Sequence, residues 1–108
     1  MQPTVAYDLG MSIRVVVSDA LNRRVPQFER MRFEEFQRAV ADVVKGRAKY
    51  RLVHTSAASG RRFYAVRQGA YTLYYSVAKD DPANCVFEEF LSADEEDLIM
   101  DVFAEGRD

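Results

Sequence analysis

The sequence predicts an α+β fold: an antiparallel sheet of about four to five strands, with one helix before the central meander and one after it. Three observations carry this. β-Branched and aromatic residues gather in short runs separated by turn residues, most densely over residues 50–90. Residues 33–44 and 93–104 instead repeat their apolar side chains at helical spacing. The helical and extended runs are segregated along the chain, which argues against a wound α/β sheet.

Residues 12–18, Ser-Ile-Arg-Val-Val-Val-Ser, read as a strand, with a short strand over 4–7 before it. Residues 19–31 have no clean period and contain Pro26, so they read mostly as loop. In 33–44, Phe36, Val40, Val43 and Val44 line one helical face and Phe33 extends it. Glu34 and Glu35 fall in the first turn, at the positive end of the dipole, and Gly46 is a stop signal. Arg32 occupies the cap position, where Ser, Thr, Asp or Asn is preferred.

Four strands follow, over 50–54, 62–67, 71–77 and 85–90. Gln68-Gly69-Ala70 is a tight hairpin connection and Asp80-Asp81-Pro82 a turn. In 71–77, Tyr71, Leu73, Tyr75 and Val77 share one face, and Thr72, Tyr74 and Ser76 the other. The closing helix is announced by Ser92-x-x-Glu95, a capping box. Its apolar face is Leu98, Ile99, Val102 and Phe103; Asp94, Asp97, Asp101 and Glu105 form a wet stripe opposite, and Gly106 ends it. Both helices are expected on one sheet face.

A chain of 108 residues fits one domain, residues 1–108. Seven Phe, six Tyr and a net charge of only −2 exclude a disordered chain. Met11 is an alternative start, which would make residues 1–10 a dispensable leader. The single cysteine, Cys85, excludes an intramolecular disulfide. With no apolar run long enough for a signal peptide or membrane span, the expected compartment is the cytoplasm, with no membrane partner.

Charge distribution is the strongest functional signal. Residues 43–79 contain no Asp or Glu but carry Lys45, Arg47, Lys49, Arg51, Arg61, Arg62, Arg67 and Lys79. Residues 80–108 hold eleven acids against one base, Arg107. Such asymmetry predicts a basic face and an acidic face. Arg51, Arg61, Arg62 and Arg67, interleaved with Tyr50, Phe63, Tyr64, Tyr71, Tyr74 and Tyr75, suit phosphate forks and base stacking, hence anion or nucleic-acid binding. Asp94, Asp97, Asp101 and Glu105 suit a protein partner with a basic groove, such as a nucleic-acid-binding protein.

Catalytic chemistry finds little footing, and no catalytic residue is assigned. His54 has no marked partner and reads as a polar residue at a strand end. Cys85, flanked by Val86, reads as a buried structural thiol. One His and one Cys cannot build a typical zinc site, and consecutive acids on a helix point apart, so no metal or cofactor is expected. Glu88 and Glu89 are expected on opposite strand faces. The loop 55–60 leads into a strand rather than a helix, unlike a phosphate cradle.

Two segments resemble known families. Residues 62–80, Arg-Phe-Tyr-Ala-Val-Arg-Gln-Gly-Ala-Tyr-Thr-Leu-Tyr-Tyr-Ser-Val-Ala-Lys-Asp, with 86–90, resemble the central hairpin of RelE/ParE-like toxins, where a strand ending Arg-x-Gly turns into a Tyr-rich strand. That resemblance implies action on RNA or gyrase, with Arg61, Arg62 and Arg67 on the working face and Arg67 at the family's arginine before the turn. Thr72 replaces the family's usual second arginine, one helix stands in place of paired helices, and the C-terminal end is acidic. Residues 17–36, from Val17-Ser-Asp-Ala-Leu to Phe33-Glu-Glu-Phe, resemble the opening of some phage and plasmid replication proteins. Together these imply a mobile-element protein, and the charged faces make the first expectation a non-catalytic inhibitor or regulator of a nucleic-acid-handling protein, an anti-CRISPR-type inhibitor being one instance. A RelE/ParE-like toxin and a small nucleic-acid-binding module are the alternatives.

Overall fold

The run of valines ending at Val17 forms a four-residue strand inside the sheet, between two neighbours. In a computed structural model describing residues 5–8 and 14–104, the strands are β1 Val5–Asp8, β2 Arg14–Val17, β3 Tyr50–Thr55, β4 Arg62–Gln68, β5 Tyr71–Ala78 and β6 Asp81–Ser92. The helices are α1 Asp19–Arg24, α2 Arg30–Val44 and α3 Asp97–Ala104. The six strands form one sheet in the order β1-β2-β6-β5-β4-β3. The α+β class holds, with helices before and after the meander.

Three features differ from the sequence reading. The sheet has one strand more than the upper expectation, and it is mixed: β2 pairs with β6 in parallel, Val17 opposite Phe87, while the other ladders are antiparallel. The long return through α1, α2 and the meander makes a parallel neighbour available to β2, which a hairpin could not. Residues 19–31 are not loop. Ser18 caps α1 by accepting from the Leu21 amide at 3.1 Å, and Pro26 sits in the short 3₁₀ turn Val25–Gln27 that follows. α2 then starts at Arg30, three residues before Phe33, with no side-chain cap at Glu29, so Glu34 and Glu35 lie beyond its first residues.

The third difference is in the layers. The helices cover both sheet faces. Phe36, Ala39 and Val40 of α2 join Leu21 of α1, Val66, Leu73, Tyr75, Phe87 and Phe90 in one buried cluster. Ile99 and Val102 of α3 join Phe63, Ala65, Tyr74 and Leu91 in another. Alternation along β4 and β5 explains this: Leu73 and Tyr75 point one way, Tyr74 the other, and each set is apolar enough to need a cover.

Strand register is interrupted at three places: between Leu52 and His54, between Tyr74 and Tyr75, and between Val77 and Ala78. Tyr74 faces Glu89 but Tyr75 faces Phe87, leaving Glu88 as the extra residue of a bulge in β6. Leu52 faces Tyr64 but His54 faces Phe63, so Val53 bulges in the edge strand β3. Gly69, at φ 59, makes the two-residue β4–β5 turn that most side chains would strain.

Candidate functional site

The acidic end is built on the cap foreseen from sequence. The Ser92–Glu95 capping box is present, opening a 3₁₀ turn, Ala93–Glu95, that leads into α3. Ile99 and Val102 are buried, as expected; Leu98 is exposed and Phe103 half-buried. Asp94, Asp97 and Asp101 are exposed and make no ion pair among the described residues. Glu105 lies outside the described residues. Met100, 60% exposed, follows Asp97 by three positions and precedes Asp101, so the outer surface of α3 combines carboxylates with a soft apolar side chain.

The four arginines do not form one basic face. Arg61 is drawn inward: its Nε donates to Ser76 Oγ at 2.7 Å and its terminal nitrogen to Asn84 Oδ1 at 3.0 Å. Arg62 and Arg67 lie five positions apart on the regular strand β4, which puts them on opposite faces. Arg51 pairs across from Ala65, so it shares the α3 face with Arg67, and both act electrostatically on Tyr74. Arg67 donates from Nε to the Gly69 carbonyl at 3.3 Å. Arg51, Arg62 and Arg67 are exposed.

The arginines that meet the C-terminal carboxylates come from the N-terminal helices. Arg32 donates to both oxygens of Glu95 and, at 2.8 Å, to the Phe90 carbonyl, with its guanidinium 4.6 Å from the Phe28 ring centroid and 5.1 Å from that of Tyr71. Arg24 stands 3.2 Å from Glu95 and 3.1 Å from Glu89. Hydrogen bonds from Arg32 hold the Glu95 carboxyl down to about 2. Burial pushes Glu89 above its ordinary value, opposed by Arg24. The Arg24 N–H does not point along its contact with Glu89, and neither atom has a hydrogen bond. A cavity of about 130 Å³ beside this cluster is lined by Arg24, Gln27, Phe28, Arg32 and Glu95.

Glu88 is the acid whose partner the sequence did not indicate. It accepts from Ser76 Oγ at 2.6 Å, and both residues are buried. Glu88 and Glu89 therefore have different partners, Ser76 and Arg24, as their placement in a bulge allows. His54 stacks on Phe103 at 4.5 Å between centroids and packs on Phe63, a structural task at a strand end. Burial pushes the Cys85 thiol up to about 11, with Arg61 opposing, which keeps it protonated and unreactive near neutral pH. Among the described residues, no three His, Cys, Asp or Glu side chains converge as metal ligands, and no helix is long and apolar enough to cross a membrane.

Comparison with known proteins adds nothing to this geometry. No family model, curated protein or solved structure matches the chain. The surfaces must speak for themselves: an exposed acidic helix, an internal arginine–carboxylate cluster, and arginines distributed over both sheet faces.

Proposed function

We propose that this chain is a non-catalytic binding protein that regulates a nucleic-acid-handling protein by seating α3 against a basic groove on it. The observation that carries this reading is the outer surface of α3 and the turn before it, where Asp97 and Asp101 flank exposed Met100, Asp94 precedes them, and all three carboxylates are exposed and make no ion pair among the described residues. The cations nearest in sequence character, those of residues 43–79, make no ion pair with these carboxylates. A carboxylate rim would steer a basic partner, and the methionine would supply adaptable apolar contact at the centre. An anti-CRISPR-type inhibitor from a phage or plasmid is one instance of that class. The test is affinity capture from bacterial lysate, with and without nuclease, using wild type and an Asp97→Lys, Asp101→Lys variant. A basic nucleic-acid-handling protein held by the wild type and lost by the variant supports the reading. Retention by the variant, or capture that vanishes with nuclease, removes it.

A second reading gains support from one specific feature. Two consecutive helices, α1 and α2, precede the meander, as in the paired helices of RelE/ParE-like toxins. In that reading exposed Arg67 on the α3 face is the working cation, joined by Arg51 rather than by Arg61 or Arg62. Induced expression should then arrest growth and Arg67→Ala should relieve it; a harmless wild type excludes a toxin.

A further inference from the structure

The sheet face under α2 is only partly covered, and its open portion has a chemistry distinct from α3. Across it runs an aromatic row: Tyr50 against Tyr64 at 5.2 Å, Tyr64 stacked on Tyr75 at 5.4 Å, and Tyr75 near Phe87 at 5.8 Å. The row begins in solvent, with Tyr50 62% exposed and Leu52, on the same face, 55% exposed. Its inner end, Tyr75 and Phe87, forms part of the wall of a groove of about 480 Å³ that also includes Val43, Val44, Val77 and Cys85.

Cations lie on the same face and in the connection leading to it. Arg62 shares the face of Tyr64 and Val77, is exposed, and has no ion-pair partner among the described residues. Lys45, Arg47 and Lys49, all exposed, lie in the connection from α2 into Tyr50. The segment 43–79 contributes no carboxylate. Of the acids on α2, Asp42 stands 3.9 Å from Arg47, and Glu35 is engaged by Gln68 and Arg38.

We propose that Tyr50, Leu52, Tyr64 and Arg62, rimmed by Lys45, Arg47 and Lys49, form a platform for single-stranded nucleic acid. The exposed Tyr50 ring, beside half-buried Tyr64, can stack an unpaired base, whereas a duplex keeps its bases on one another. The cations answer the phosphates. The platform is independent of the acidic-helix reading and lies on the sheet face opposite Arg51 and Arg67.

Fluorescence anisotropy tests it, using labelled oligothymidine and oligouridine of about twelve nucleotides and a duplex of equal length. The single strands should bind at about 50 mM salt, with affinity falling as salt rises, and bind at least about tenfold tighter than the duplex. Tyr50→Ala should weaken single-strand binding about tenfold and Tyr50→Trp should restore it. Arg62→Ala should reduce the slope of log affinity against log salt by about 0.7. Near-ultraviolet dichroism and urea midpoint establish that each variant is folded. No binding of the single strands, equal binding of the duplex, indifference to Tyr50→Ala, or equal displacement by polyglutamate overturns the platform. So does a wild-type dimer, seen by light scattering, that Tyr50→Ala dissolves, because the patch would then be a contact between copies.

Discussion

Arg32 and Glu95, 63 positions apart, form a two-pronged pair that joins α2 to the turn before α3 across the end of β6. Glu95 also accepts from the Ser92 amide at 3.0 Å, so one carboxylate closes the capping box and ties layers from opposite sheet faces. Glu95→Gln keeps an acceptor for the capping box but loses the ion pair, so it should lower unfolding free energy by about 1 kcal/mol at neutral pH on this partly exposed side chain. The pH dependence follows from a folded value near 2 against an ordinary 4.5. The stabilisation is complete above 4.5 and is lost as pH falls towards 2, so wild type and variant should converge there. Urea titrations across that range measure it.

Glu89 should behave in the opposite sense. Its burial raises the carboxyl above 4.5, so the folded state binds a proton more tightly than the unfolded chain does. That contribution favours folding at low pH and is lost as pH rises from 4.5 through the raised folded value. Glu89→Gln cannot titrate. The stability of wild type relative to this variant should therefore fall as the solution is taken from acid towards neutrality; a constant difference would show that Arg24 fully compensates the burial.

The contrast between these two acids marks how far the sequence could be read. Ser92-x-x-Glu95 is a local pattern, and the structure contains that capping box. The partner of Glu95 is nonlocal, because Arg32 looked like a poor helix cap and gives no sign that it reaches across a sheet. α1 was legible in principle: Ser18 as cap, Asp19 in the first turn, and Arg23 and Arg24 in the last. Six residues are too few to show a period, however, and Pro26 drew attention to the break after them. The two-sided covering of the sheet was implicit in Tyr74 and Ala65, which share a face opposite Leu73 and Val66. It became readable only when pairing fixed β4 against β5. Predicting one basic face failed for a simpler reason. Sequence proximity gathers Arg61, Arg62 and Arg67, but strand alternation divides the last two, and Ser76 takes the first.

Ser76 connects half-buried Arg61 to Glu88 in a hydrogen-bond chain whose inner bond is buried, receiving from the arginine and donating to the carboxylate. Ser76→Ala should destabilise the fold by about 1–3 kcal/mol, the usual cost of withdrawing a partner from buried polar groups. A coupled variant, Ser76→Ala with Glu88→Gln, should lose less than the two single changes added together, since both act on one contact. Chemical denaturation of the four proteins reads this directly. Simple additivity would mean that the serine and the glutamate stabilise the chain separately.

Asp97 and Asp101 occupy opposite ends of α3 and should respond oppositely to charge reversal. Asp97 lies in the first turn, where the helix dipole favours a carboxylate. Asp101 lies four residues on, in the last turn before Ala104, where the dipole favours a cation. Asp97→Lys should cost about 0.3–1 kcal/mol and Asp101→Lys should return a similar amount, leaving the double variant near wild-type stability in urea. Asp101 thus stands at a position where a lysine would suit the helix better. A double variant that unfolds would contradict this balance. A stable double variant makes any loss of partner capture attributable to the surface charge itself.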